Sequence, residues 1–117
     1  MSASPAAFVY KIKEVCRIID GDTVDLLIDL GFEASIKKRV RLSGIDTPEI
    51  RTRNKEEKKK GYAAKARLEE LIGGDVSLLT LRSDGLGKYG RVLGTIYNCD
   101  RNINNTLVEE GYAISYE

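Results

Sequence analysis

Hydrophobic and polar positions interleave through the first third of the chain. Residues 8–19 (FVYKIKEVCRII) and 22–30 (DTVDLLIDL) are rich in Val and Ile, the composition of strands. Asp20-Gly21 between them is a strong short-range hairpin signal, which sets Asp22 at the mouth of the hairpin. Gly31-Phe32-Glu33 supplies a second turn. Residues 35–43 then alternate, with Ile36, Val40 and Leu42 on one face and Lys37, Arg39 and Arg41 on the other. Three consecutive antiparallel strands form a meander, the usual start of a small closed barrel.

The pattern changes twice afterwards. Residues 44–57 hold Gly44, Pro48 and a dense charge cluster without periodicity, which predicts a loop of functional length with a basic, mobile tip. Over 58–72 the period becomes helical: Ala63, Ala64, Ala66, Leu68, Leu71 and Ile72 line one side, and Gly73-Gly74 stops the helix. A fourth strand is predicted at 75–82, a glycine-rich turn at 83–87, a fifth strand at 90–97 and a short second helix at 102–111. The fold class expected is mainly β with α: a five-stranded OB-fold barrel with one to two flanking helices.

Composition narrows the picture. A chain of 117 residues with 42% apolar content fits one compact domain, expected to span 1–117, and is too short for two. The first dozen residues have neither a basic n-region nor an apolar h-region, and no apolar run reaches the length of a membrane span, so a soluble, cytoplasmic protein is expected. Cys16 and Cys99 stand 83 residues apart and form no metal or redox pair; free, buried thiols are expected. Histidine is absent. That removes the commonest general base, the histidine-dependent nucleophilic sites and the commonest transition-metal ligand. Acid–base chemistry must then use carboxylates, Lys or Tyr, and a metal site must be built mainly of oxygen, which favours Ca²⁺ or Mg²⁺. The net charge of +1 conceals an asymmetry, since residues 37–67 carry 12 Lys and Arg against 4 Asp and Glu. A basic middle between acidic flanks suits a face that meets a polyanion, although a solvated helix and loop would carry the same charges.

Three carboxylates stand where the topology brings a loop to the hairpin mouth: Asp22 in I-D-G-D-T-V, and Asp46 and Glu49 in I-D-T-P-E. Clustered carboxylates repel unless a cation sits among them, and Asp oxygens with a backbone carbonyl suit a hard divalent ion. Pro48 forces Thr47 into an extended conformation, which directs the Thr47 carbonyl and the Asp46 carboxylate. Arg41 lies on the strand feeding this loop and Arg91 follows the Lys88-Tyr89-Gly90 turn. Two guanidinium groups facing a carboxylate-bound cation describe a phosphoryl-transfer site. Each residue also has a plainer reading, as a turn former or a surface ion pair.

The strings I-D-G-D-T-V (19–24), R-L-S-G-I-D-T-P-E (41–49) and K-Y-G-R (88–91), followed by L-V-x-x-G (107–111), resemble the thermonuclease family, of which staphylococcal nuclease is the best-known member. The resemblance runs from about residue 8 to 115, and four motifs in order are far more specific than any one. It implies an OB-type barrel with Ca²⁺ held by Asp22, Asp46 and the Thr47 carbonyl, Glu49 as general base, and Arg41 and Arg91 on the scissile phosphate. The implied activity is hydrolysis of DNA and RNA, single- or double-stranded, to 3′-phosphate and 5′-hydroxyl ends. By the same resemblance Lys88 and Tyr89 contact a terminal or neighbouring phosphate, Leu93 walls the base, and Asp20 supports the metal ligands from behind. Lys37, Arg39, Arg51, Arg53, Lys55 and Lys58 to Lys60 would add salt-sensitive, sequence-independent attraction to other phosphates.

The chain departs from the family pattern at its C-terminus, where the family continues into a further helix and a stacking tyrosine pair. Here the sequence ends at Glu117, and neither Tyr112 nor Tyr116 falls on the stacking position when L-V-x-x-G is aligned. Weaker base stacking and a homodimer covering the bared surface are the resulting expectations. The competing reading is a catalytically weak or inactive OB module that binds nucleic acid or protein. All five main positions (Asp22, Arg41, Asp46, Glu49, Arg91) are nevertheless present.

Overall fold

The structure is a computed structural model and describes residues 8–86 and 91–115. The meander is present: β1 (Val9–Asp20), β2 (Thr23–Gly31) and β3 (Ala34–Leu42) pair antiparallel in sequence. Three register shifts interrupt the β1–β2 ladder, and such bulges add the bend and twist that a strand needs to wrap a small barrel. After the short β4 (Ile45–Asp46) and helix α1 (Lys55–Ile72), β5 (Leu79–Leu86) pairs with β1 and with β6 (Val92–Asn98). A parallel pairing of β3 with β6, Val40 opposite Val92 through Leu42 opposite Gly94, closes the ring. The result is the expected α+β class, a closed five-stranded barrel with two helices and an OB-like architecture. The chain finishes with β7 (Arg101–Asn102), α2 (Ile103–Glu109) and β8 (Ile114–Ser115), which pairs with β4.

The strand alternation works as the sequence implies over most of its length. Val24, Leu26, Val40 and Leu42 point into the barrel and are fully buried, joined there by Leu79, Leu81 and Ile96. Ile36 shares their face but is 39% exposed, because the β2–β3 hairpin projects past the end of the barrel. Helix α1 lays Ala64, Leu68, Leu71 and Ile72 against the barrel, and α2 contributes Ile103 and Leu107. Arg67 and Glu110 join the two helices through a bidentate pair at 2.6 and 2.9 Å.

Several boundaries differ from expectation. Helix α1 starts at Lys55 rather than residue 58, because Asn54 caps it by accepting from the Glu56 and Glu57 amides, and Glu56 and Glu57 favour the positive end of the helix dipole. Charges around the whole circumference of that first turn hid it from a periodicity reading. Ala63 and Ala66 face solvent, so the buried stripe is narrower than the alanine run suggests. Residues 76–78 form a 3₁₀ turn, whose Asp75 cap accepts from the Ser77 amide, and the strand begins only at Leu79. That strand then continues to Leu86 through a shift at Ser83/Gly85, where the sequence suggested a turn. Cys99 is exposed and Cys16 half-buried, so neither is the buried thiol expected; both are free.

Candidate active site

Four segments meet at the mouth of the β1–β2 hairpin, and two glycines set how closely. A Cβ on Gly21 would lie 2.7 Å from the Ala64 Cβ and 3.0 Å from the Thr47 Cγ2, so the hairpin turn rests directly on α1 and on the loop after β4. A Cβ on Gly61 would lie 2.8 Å from the Pro48 carbonyl oxygen, so α1 has no side chain where the loop carrying Glu49 crosses it. This explains a glycine inside a helix, where it otherwise costs about 1 kcal/mol. The loop is held from three further directions. Asp46 lies on β4 opposite Ile114 of β8, the Glu49 amide donates to the Glu57 carboxylate at 3.2 Å, and the Thr47 amide donates to Asp22 Oδ2 at 3.1 Å.

Asp22 is the hub. It is 7% exposed, its carbonyl accepts from the Leu42 amide at 2.8 Å, and Thr23 Oγ1 donates to its Oδ1 at 3.1 Å. Arg41 lies between two carboxylates, with Nη1 2.9 Å from Asp22 Oδ2 and Nη2 3.4 Å from Asp46 Oδ1. The Nη1 contact is close but not aligned as a hydrogen bond, so this buried nitrogen keeps its donor unused, as the buried Thr47 Oγ1 also does. Unused buried donors are costly, and these two are enclosed in the cavity wall rather than open to it. Burial, and after it the Asp22 charge, raise the Asp20 carboxyl above its ordinary range against the pull of Arg51, Lys65 and Arg41.

Asp20, Asp22, Arg41, Asp46, Thr47, Glu49 and Arg91 all line one cavity of about 140 Å³. The sequence separates them by up to 71 residues, and the fold gathers every one. A second groove of about 560 Å³ shares Asp46, Thr47, Pro48 and Glu49 with it and continues between the start of α1 and Tyr112 to Ile114. Leu93 lies beside Arg41 in the parallel β3–β6 ladder. Lys37 and Arg39 share the outward face of β3 with Arg41 but do not line the cavity, and Arg39 is paired with Asp25 at 2.9 and 3.2 Å. Arg51 and Arg53 are exposed on the loop before α1. Lys88 and Tyr89 lie outside the described residues.

The cation expected here can be tested against the donors. Among the described residues no cluster of three or more His, Cys, Asp or Glu is arranged to hold a metal. The Asp22 and Asp46 carboxylates and the Thr47 main chain offer only oxygen, which suits a hard ion in kind, while their number leaves much of a six- to eight-oxygen Ca²⁺ shell to water. The Arg41 guanidinium bridges these two carboxylates and offsets one of their two negative charges.

Sequence reasoning missed the scaffold behind the cavity. Asp84 accepts from Ser43 Oγ, from Arg82 Nε at 2.8 Å and from Thr95 Oγ1 at 2.9 Å, which ties β5, β6 and the end of β3 together two residues beyond Arg41. Burial alone would raise the Asp84 carboxyl, but these hydrogen bonds outweigh it and hold it below the ordinary range. Asn104, 3% exposed, donates to the Ser43 and Gly94 carbonyls at 2.9 and 3.1 Å and accepts from the Ile96 amide at 3.3 Å. The only signal for Asn104 was a polar residue in the apolar phase of α2, between Ile103 and Leu107.

A small OB-like barrel whose mouth gathers carboxylates and arginines is an architecture suited to phosphate esters. The family model described as staphylococcal nuclease homologue matches residues 39–117, and the chain belongs to that family. Among curated proteins it is 35% identical to Protein ParB of Escherichia coli, over 88% of this chain and 56% of the relative. It is 34% identical to Endonuclease YncB of Bacillus subtilis, over 83% of this chain and 44% of the relative. Against the Thermonuclease of Staphylococcus intermedius it is 34% identical, over 85% of this chain and 56% of the relative. The chain thus spans about half the length of these relatives.

Proposed function

We propose that this barrel is a nuclease of low sequence specificity that hydrolyses phosphodiester bonds of DNA and RNA with the help of Ca²⁺, leaving 3′-phosphate and 5′-hydroxyl ends. The observation that carries the reading is the convergence of Asp22, Arg41, Asp46, Glu49 and Arg91 on one 140 Å³ cavity. Asp22, Asp46 and the Thr47 carbonyl would hold the ion, and when bound it supplies positive charge to the phosphate and lowers the cost of forming a nucleophile from water.

The remaining chemistry belongs to the side chains. Arg41 and Arg91 grip the non-bridging oxygens of the scissile phosphate and stabilise the charge that builds there in the transition state. Glu49, exposed at the cavity rim, takes a proton from the water that attacks phosphorus in line. The bond from phosphorus to the 5′ oxygen breaks, and that oxygen leaves with a proton from solvent. In a chain without histidine a carboxylate is the group left to act as base near neutral pH. Incubating plasmid and single-stranded DNA with the protein in Ca²⁺ or in EDTA tests the reading: degradation in Ca²⁺ alone is expected, and equal DNA survival in both would overturn it.

A further inference from the structure

The far end of the β2–β3 hairpin carries an arrangement that the cavity does not use. Gly31 pairs with Ala34, and the two residues between them both have positive φ, 55° at Phe32 and 65° at Glu33. This is a type I′ turn, which calls for Asn-Gly and penalises bulky side chains. Phe32 is nonetheless fully exposed, at 104% of its reference area, so no packing among the described residues offsets the strain. Strain of this kind without internal compensation points outward, to a function. Leu30, Ile36, Val9 and Phe8 are also exposed at this end of the sheet, and the Phe8 and Tyr10 rings stack at 6.4 Å. Both phenylalanines of the protein therefore lie in solvent, at neighbouring strand ends.

Charge identifies the partner. Lys11, Lys13, Lys37 and Lys38 flank the tip against Asp29 and Glu33, and Asp29 is engaged by the Gly31 amide at 2.8 Å. From the tip, Lys37, Arg39 and Arg41 run along the outward face of β3 to the phosphate cavity, one cation about every 6.8 Å, with Arg39 held by Asp25, so that a phosphate there would share it with that carboxylate. The seven-residue span from Ala34 to Arg41 is roughly 24 Å, within the reach of the 4–16 nucleotides that one OB barrel occupies. An anionic lipid surface would suit the tip but leaves this row leading into the cavity unexplained.

We propose that the tip of the β2–β3 hairpin is a base-stacking site for single-stranded nucleic acid, with Phe32 as the platform for a strand whose phosphates follow Lys37 and Arg39 away from the cavity. The proposal rests on the nuclease reading for the direction of the strand. Stacking on an aromatic ring is indifferent to base identity and adds affinity without specificity.

The test uses the full chain carrying Glu49→Gln, so that bound strands persist, with or without Phe32→Asn and Glu33→Gly. Fluorescence anisotropy reads the binding of a 12-nucleotide and a 3-nucleotide oligothymidylate, and thermal unfolding is followed in parallel. The double change is expected to raise Tm, because Asn-Gly relieves the turn, and to weaken the 12-mer about fivefold or more, with a smaller loss for the 3-mer. Removing the Glu33 charge acts the other way, so weaker binding cannot come from electrostatics. Phe32→Trp should retain the 12-mer affinity. Unchanged 12-mer affinity in the double variant overturns the proposal. If that variant instead loses cosedimentation with phosphatidylserine vesicles, the tip serves a membrane; if it loses a dimer in sedimentation velocity, the tip serves a second copy. A native chain that cuts DNA with an affinity indifferent to Phe32 sinks this proposal alone. Phe32-dependent binding without cleavage sinks the nuclease reading alone.

Discussion

Strand β2 begins and ends in a tight turn, and the two turns are built on opposite principles. At residues 20–23 the backbone is pressed against α1 and the Thr47 loop, Gly21, Asp22 and Thr23 are all buried, and Asp22 is tied to two other segments, β3 and the Thr47 loop. At residues 31–34 the described residues leave the turn open: a Cβ on Gly31 would meet no atom within 4 Å, and every residue is exposed. The first turn spends its conformational freedom on placing one carboxylate, and the second keeps a strained aromatic in solvent. Position in a hairpin therefore says little about role; what packs on the turn decides it.

The comparison breaks most sharply at the crowded end. Glu49→Gln is expected to lower turnover by about 10²- to 10⁴-fold while nucleotide affinity stays near that of the parent, and Arg41→Ala to lower kcat through lost transition-state stabilisation. Steady-state hydrolysis with a separate binding titration checks both, and an unchanged rate in either variant would refute its assigned role. Next in size is Gly21→Ala, which forces the turn away from Ala64 and Thr47 and should cost about 1–3 kcal/mol in denaturant unfolding as well as activity. The matching control at the open end, Phe32→Asn with Glu33→Gly, should move stability the other way. If Gly21→Ala were as stable as the parent, the close packing described for the first turn would be wrong.

The smallest effect tests the scaffold behind the site. Asp84→Asn keeps an acceptor but loses the charge that Arg82 meets, and should cost about 1 kcal/mol at neutral pH. Because the folded Asp84 carboxyl lies below its ordinary value of 3.8, its contribution is complete above that value and fades as pH falls through the depressed one. Thermal unfolding of parent and variant should therefore converge below about pH 4, and a gap that stays constant down to pH 2 would exclude Asp84 as its source.

Much of the barrel could be read from sequence because its first three strands are joined by short turns and obey a simple alternation. The cavity was readable for a different reason: Asp22, Asp46, Glu49, Arg41 and Arg91 combine charges that cohere only if brought together, and their motifs resemble a known family. What escaped reading was either a local cap masked by surrounding charge or a contact between partners distant in sequence. The start of α1 hinges on Asn54 inside a charged run, and the Asp84 cluster draws on Ser43 and Thr95, 41 and 11 residues away. Gly61 could only look like a helix fault until the Pro48 carbonyl was found lying over it. Phe32 read as an ordinary turn residue, since strain and exposure have no signature in composition.

Asn104 has a bearing on the order in which the molecule is assembled. Its bonds to Ser43, 61 residues upstream, and to Gly94 clamp the seam where, among the described residues, strands run parallel, and such distant pairings form late because the intervening chain must first be brought into a loop. Arg41 stands two residues before Ser43 and Arg91 three before Gly94, so the two cations converge only as that seam closes. A growing chain that has emerged no further than β6 holds every charge of the cavity without the residue that locks the seam, and its β3 edge stays open to other strands until α2 arrives.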